Sequence, residues 1–202
     1  MASKPELPGT LVLASSNAGK LREFGALLAG RGCELVPQAA LGIGEAEEPH
    51  MTFVENALAK ARHAAQQSGL AAMAEDSGLC VHALDGAPGV RSARYAGEPR
   101  SDARNNARLM EELAGTAHRA AHYYCVIVLL RSARDPEPLI AEGRWQGAIA
   151  ERPRGDGGFG YDPLFLLPER GVTAAELAAE EKNRCSHRAM AMQSLLSRLD
   201  GA

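Results

Sequence analysis

Residues 123–130 read Tyr-Tyr-Cys-Val-Ile-Val-Leu-Leu, aromatic or apolar at every position. A helix crossing a bilayer needs about 20 such residues, so this run is far too short to span one. Its β-branched and aromatic content points to a strand, and the lack of polar alternation means that both faces are covered. A strand covered on both faces needs a layer above it and a layer below. That requirement selects a sheet flanked by helices.

The rest of the chain supplies those layers. Thr10-Leu11-Val12-Leu13-Ala14 is a short buried strand, and Leu21, Phe24, Leu27 and Leu28 follow at helical spacing before Gly30 and Gly32 stop the helix. Residues 33–37 form a second strand, and residues 38–50 are irregular and acidic, with Glu45, Glu47 and Glu48. Thr52 and Glu55 match a capping box opening an Ala-rich helix that ends at Gly69. Residues 70–74 are a strand delivering Glu75-Asp76-Ser77-Gly78 at its carboxyl end, and residues 79–84 form another. Residues 85–100 are loop-rich, and Ser101 caps a helix running to about Leu113. Residues 139–149 pair with the central strand as a hairpin interrupted by Gly143 and Gly147. A Gly-rich loop over 155–163 leads into a short strand at 164–167. Thr173 with Glu176 caps a short helix, and Ser186 caps a last helix that stops at Gly201. Hairpins together with α/β units predict a long mixed sheet in one domain over residues 10–202, preceded by a flexible tail over 1–9.

Composition narrows the partners. A net charge of −3 argues against electrostatic binding to nucleic acid or to anionic membranes. Cys33, Cys80, Cys125 and Cys185 are far apart and form no C-x-x-C pair, as expected of reduced thiols in a cytoplasmic protein. Residues 1–9 contain no apolar run that would serve as a signal peptide. Of 22 basic residues only Lys4, Lys20, Lys60 and Lys182 are Lys, so a Lys outside the tail marks a place for a compact point charge.

Several stretches carry chemistry. Ser15-Ser16-Asn17-Ala18-Gly19-Lys20 fills a tight strand-to-helix turn, where unpaired backbone N–H groups and the positive end of the helix dipole favour a phosphate. The same residues also fit a plain Asn/Ser helix cap. Positions 14 and 21 are Ala and Leu, so the stretch is not a P-loop. Glu75-Asp76 sets two carboxylates side by side, which a bound cation would relieve; a solvated D-S-G turn is the plainer alternative. Glu47 or Glu48 could add a further ligand, and Asn56 with Lys60, four apart on one helix face, meet either a triphosphate or solvent. Phe159, Tyr161 and Asp162 stand among glycines that permit close approach, so that an aromatic ring can stack on a base while a carboxylate accepts from a ring N–H; a packed turn with an aromatic anchor is the plainer alternative. Lys182 and Ser186-His187-Arg188 offer donors near a helix start, where cations are otherwise unfavourable; a capped, solvated first turn is the plainer alternative for His187-Arg188.

Taken in order, these stretches, together with Phe53-Val54-Glu55-Asn56-Ala57, Gly86-Ala87-Pro88-Gly89 and Ser92-Ala93-Arg94-Tyr95, resemble the inosine/xanthosine triphosphate pyrophosphatase family from about Leu11 to Leu199. The resemblance implies two lobes with a central cleft, a homodimer, and Mg²⁺-dependent hydrolysis of a purine nucleoside triphosphate to the monophosphate and pyrophosphate. It implies that Ser15, Ser16, Asn17, Ala18, Gly19 and Lys20 bind the triphosphate. Asp76 would hold the metal and help to activate water, Glu48 would be a second metal-side carboxylate, and Ser77 and Lys60 would support the phosphates or the metal. Phe159, Gly160, Tyr161, Asp162, Lys182, His187 and Arg188 would hold the base. Glu75 stands where bacterial members commonly carry a second Asp, and its longer reach leaves its role open. Two rivals remain at this point: a Maf-like pyrophosphatase acting on other nucleotides, and a sensor that binds a nucleotide without hydrolysing it.

Overall fold

The structure is a computed structural model describing residues 7–200. Of the predicted tail, residues 1–6 lie outside the described residues, as does the Gly201 stop; Leu7 packs against the core. The strands are β1 (Thr10–Leu13), β2 (Glu34–Pro37), β3 (Ala72–Val81), β4 (Ala120–Leu130), β5 (Leu139–Ile149), β6 (Phe165–Leu167) and β7 (Val172–Thr173). They form one seven-stranded sheet in the order β2-β1-β3-β4-β5-β6-β7. β1 pairs in parallel with β2 and β3, while β6 pairs antiparallel with β5 and β7, so the sheet is mixed as predicted.

The helices are α1 (Ala18–Leu28), α2 (Phe53–Ser68), α3 (Asp102–Glu112), α4 (Ala179–Cys185) and α5 (His187–Asp200). Each of the first three starts where a cap was read. Asn17 accepts from Lys20 N, Thr52 from Glu55 N and Ser101 from Arg104 N. Thr173 and Glu176 do form a capping box, but it opens only a 3-10 turn, Ala174–Glu176. α4 has no side-chain cap, which is why the sequence did not announce it.

The chain divides into two compact units. The first comprises Met1–Asp76, Cys125–Gly143 and Arg188–Ala202; the second comprises Ser77–Tyr124 and Arg144–His187. The first has the larger apolar core. Leu11 and Leu13 of β1, Met73 of β3, and Cys125, Ile127 and Leu129 of β4 share one sheet face, because side chains alternate along a strand. Phe24 and Leu28 of α1 and Met192, Leu195 and Leu199 of α5 cover that face. Val126, Val128 and Leu130 point the other way and are also fully buried, as the unbroken apolar run requires. α2 packs on β1 through a face of alanines, Ala57, Ala61, Ala64 and Ala65.

One prediction fails instructively. Glu75-Asp76-Ser77-Gly78 is not at the end of a strand; it lies inside the ten-residue β3, and residues 82–84 make a 3-10 turn rather than more strand. Polar and glycine residues lower local strand propensity, but the central position of β3 between β1 and β4 overrides it. The glycines of residues 139–149 likewise leave β5 unbroken. A Cβ on Gly147 would lie 2.6 Å from Leu166 O and from the Phe165 ring, so glycine lets β6 approach rather than ending the strand.

Asp135 closes the turn between β4 and β5. Its carboxylate accepts from Arg131 N and Glu137 N at 2.9 and 3.0 Å and from the Arg131 guanidinium at 2.6 and 2.8 Å. Those guanidinium and backbone hydrogen bonds outweigh burial and hold the carboxyl well below the usual carboxylate range. Replacing Asp135 by Ala leaves two turn N–H groups without their acceptor and is expected to cost about 1–3 kcal/mol in chemical denaturation. Because the folded carboxyl is depressed, its stabilisation is fully present above an unfolded value of about 4 and is lost as pH falls towards the folded value. The difference between wild type and Asp135→Ala should therefore shrink as the medium is acidified below about pH 4.

Candidate functional site

In the first unit the phosphate-type loop forms as read. Ser15 N returns to Leu13 O at 2.9 Å, Ser15 Oγ accepts from Asn17 N at 3.2 Å, and Asn17 Oδ1 caps Lys20 N at 3.1 Å. Ser16, Asn17 and Ala18 are exposed, Ser15 and Gly19 are half-buried, and Ser16 Oγ donates to Glu45. Ala18, Gly19 and Lys20 form the first turn of α1, which contains no acid. A Lys there opposes the helix dipole, and a carboxylate from another element answers it. Lys20 Nζ lies 2.5 Å from Glu75 Oε1.

Glu75 has no exposed side-chain surface. Besides Lys20 it meets the Arg188 guanidinium, with Nη2 and Nε each at 3.5 Å, and it accepts from Cys125 Sγ at 3.3 Å. Arg188 is itself held by Glu23, Nη1 to Oε2 at 2.9 Å. Burial pushes the Glu75 carboxyl up, but Lys20 and Arg188 more than offset it and hold the group well below the usual carboxylate range. Arg188 was expected at the base; within its unit its partners are Glu23 and Glu75. Neither Glu23 nor Cys125 carried a signal in the sequence, since each looks like an ordinary helix or strand residue.

Asp76 points to the opposite face of β3, as adjacent strand residues must. Its Oδ1 lies 2.9 Å from Lys60 Nζ, and its Oδ2 accepts from Asn56 Nδ2 at 3.4 Å. Lys60 also meets Glu48 Oε1 at 2.8 Å. Asn56 exchanges hydrogen bonds with the backbone N–H and C=O of His50, at 3.1 and 3.2 Å, and so ties down the irregular segment that carries Glu48. Asn56 and Lys60 are therefore buried rather than on a solvated face, and Glu48 rather than the exposed Glu47 is the acid that arrives. Burial, aided by the neighbouring Glu75, raises the Asp76 carboxyl despite Lys60.

Two carboxylates, Glu48 and Asp76, already converge on one cationic nitrogen, which is the donor set a hard divalent cation takes. Among the described residues no group of three or more His, Cys, Asp or Glu forms a metal cage. A metal here would draw its remaining ligands from water or from a ligand's oxygens, the habit of Mg²⁺.

The second unit holds the other candidates. Asp162, almost fully buried, accepts from Phe159 N at 3.0 Å and pairs with Lys182 Nζ at 2.6 Å, all on Oδ2. Lys182 Nζ also lies 4.9 Å from the centre of the Phe159 ring. Tyr161 OH donates to Ser92 O at 2.8 Å, and burial pushes the phenol well above its ordinary range. Ser77 is half-buried in β3. His187 is packed flat against Tyr123, ring centres 4.6 Å apart, beside Trp145 and Phe165. The sequence did not announce Tyr123 and Trp145 as partners of His187, because they come from two different strands.

A model of the Ham1 family matches residues 11–198. The chain is 65% identical over 192 residues to a dITP/XTP pyrophosphatase of Ralstonia nicotianae, covering 94% of this chain and 96% of that one. It is 65% identical over 192 residues to a dITP/XTP pyrophosphatase of Aromatoleum aromaticum, covering 95% and 97%. A HAM1 protein of Coxiella burnetii is similar in structure, with a TM-score of 0.89 and 48% identity over 96% of this chain and 99% of that one.

Two substitutions test the geometry. Glu75→Ala leaves Arg188 and Lys20 without their buried counter-ion and should cost about 3 kcal/mol or more in denaturant unfolding. A Cβ on Gly158 would run into the Asp162 carboxylate. Gly158→Ala should therefore displace Asp162 from Lys182 and cost about 1–3 kcal/mol in denaturant unfolding, the scale of a charged hydrogen bond lost from a buried site.

Proposed function

The chain belongs to the Ham1 family, and from that membership we propose that it is an Mg²⁺-dependent nucleoside triphosphate pyrophosphatase. It hydrolyses ITP, dITP and XTP to the monophosphate and pyrophosphate, and so removes deaminated purines from the nucleotide pool of the cytoplasm, working as a homodimer. The names of its 60–65% identical relatives support the reaction and the substrate class. Among the described residues no helix is long and apolar enough to cross a membrane. The observation that carries the reading is the division of labour on β3. Glu75 fixes the cation of the phosphate loop, and Asp76 with Glu48 presents a metal-type carboxylate pair near enough that Lys20 also acts on Asp76 and Lys60 on Glu75.

The residues of the first unit take the triphosphate. Ser15, Ser16, Asn17, Ala18 and Gly19 offer hydroxyl, amide and backbone donors, and Lys20 supplies a full positive charge to the departing pyrophosphate. Glu48 and Asp76 would hold Mg²⁺, which contributes positive charge beside the phosphate oxygens. Asp76 orients a water molecule at the α-phosphorus and accepts its proton. The water oxygen bonds to phosphorus, and the bond from the α-phosphorus to the bridging oxygen breaks, releasing pyrophosphate. Lys60 holds the two carboxylates in register. In the second unit Phe159 stacks on the purine, while Gly160, Tyr161, Asp162, Lys182 and His187 shape the surface that meets its edge; Ser77 supports the phosphates. Hypoxanthine and xanthine present a 6-oxo acceptor and an N1–H donor, and adenine reverses both. A site whose buried polar groups pair with the first arrangement strongly rejects the second.

The deciding measurement is pyrophosphate release across ITP, dITP, XTP, GTP, ATP and pyrimidine triphosphates, with Mg²⁺ and with excess EDTA. ITP, dITP and XTP should be hydrolysed fastest, and EDTA should abolish the reaction. Asp76→Asn should lower kcat by about 100-fold or more, the scale of losing a positioned base. Retained activity in that variant would remove Asp76 from the mechanism. A preference for pyrimidine or methylated nucleotides would favour the Maf-like alternative, and Mg²⁺-dependent ITP binding without pyrophosphate release would favour a sensor.

A further inference from the structure

Helix α3 carries two side chains to which no role has yet been given. Asp102 and Asn106 stand four residues apart and therefore share a helix face. Both reach the same residue of the Gly-rich loop. Asp102 Oδ2 accepts from Gly160 N at 2.7 Å, and Asn106 Nδ2 donates to Gly160 O at 3.0 Å. One residue thus has its N–H held by a carboxylate and its C=O held by a carboxamide, 58 and 54 positions away in sequence. The amide orientation of Asn106 is fixed by this pairing, because the flipped amide would set oxygen against oxygen.

Gly160 lies between Phe159 and Tyr161 and has a φ of 63°. A glycine in that conformation is the joint about which such a loop would swing. Its neighbour Tyr161 is anchored to Ser92 O, which also accepts from Asn105 Nδ2 of α3 at 3.3 Å. The loop is therefore held on two successive residues. On the other side of the joint, Phe159 N meets the Asp162 carboxylate and the Phe159 ring meets Lys182. Asp102 alone has a simpler explanation, since an acid in the first turn of α3 suits the helix dipole. Asn106 has none: it is a weak helix former in the interior of the helix, and its amide reaches out to the loop.

We propose that Asp102 and Asn106 are positioning residues that lock Gly160 and thereby set the purine selectivity of the loop. The proposal rests on the assignment of Phe159 and Asp162 to the base. Fixing the loop before the nucleotide arrives removes an ordering cost from binding, and it holds the polar groups where only one pattern of ring donors and acceptors fits.

The polarity of the two contacts gives the test its sign. Asn106→Asp sets an acceptor against the Gly160 carbonyl, Asn106→Ala removes the donor, and Asp102→Asn keeps an acceptor for the Gly160 N–H. The full chain is assayed for kcat and KM with ITP and ATP in Mg²⁺, for hydrogen exchange in peptides covering residues 157–162, and for Tm, with Phe159→Ala as a reference for base reading. Asn106→Asp should lower the ITP-to-ATP ratio of kcat/KM about tenfold, the worth of a hydrogen bond lost and a repulsion gained. The change should fall on KM for ITP and exchange over 157–162 should rise, and Asp102→Asn, which trades a charged acceptor for a neutral one, should move both readouts in the same direction by a smaller factor of about two to three. If Asn106→Asp does not fold, Asn106→Ala is read in its place. Unchanged selectivity and exchange in the Asn106 variant, with selectivity lost in Phe159→Ala, overturns the proposal. If Phe159→Ala leaves the ratio intact, the base-reading assignment fails, and the selectivity role falls with it. If wild type hydrolyses neither nucleotide, the proposed function fails, and unchanged exchange over 157–162 then overturns the clamp as well.

Discussion

A carboxylate with no exposure to water stays ionised only if cations surround it, and Glu75 is such a group. Lys20 reaches it from the start of α1, and Arg188 from the start of α5, with Glu23 completing the charge on the far side of Arg188. One buried acid therefore ties the two helices that cover the core face of the sheet to the strand between them. The same contact aims the loop lysine. Breaking it would strand a guanidinium that has 4% side-chain exposure, so the contact constrains the fold itself.

The strand itself separates the two acids. Because side chains alternate, Glu75 and Asp76 cannot serve the same face, and each finds its own cation. Lys20 and Arg188, with Lys60 behind them, outweigh burial and pull Glu75 down, whereas burial pushes Asp76 up despite Lys60 and Lys20. A pair that reads in the sequence as two similar carboxylates thus becomes one permanent counter-ion and one group fit to hold a metal or take a proton. The second unit has a buried ion pair of its own at Asp162. It is buried, paired with Lys182, and turned inward over a glycine that leaves room for it.

Much of this was legible beforehand, for local reasons. The unbroken apolar run over 123–130 required cover on both faces, and the caps at Asn17, Thr52 and Ser101 marked helix starts to the residue, because a cap acts within three positions. The mixed sheet followed from strands joined both by helices and by hairpins. The misreading of residues 75–78 as a strand end was local too: Asp, Ser and Gly form turns in isolation, and only the neighbouring strands hold them extended. α4 was missed because it lacks a side-chain cap.

What the sequence determined by itself is therefore the identity of the elements and the stretches where chemistry gathers. These depend on backbone propensity, period and capping, which act over a few residues. What only the tertiary structure decided is which charge answers which. Glu48 rather than Glu47 meets Lys60. Arg188 meets Glu23, 165 positions away, and Glu75, 113 positions away. Asp102 and Asn106 close on a glycine in a distant loop. Such pairings depend on how the sheet orders its strands and on which face of each helix turns inward. No window of sequence contains both partners, so the choice is made only when the chain packs.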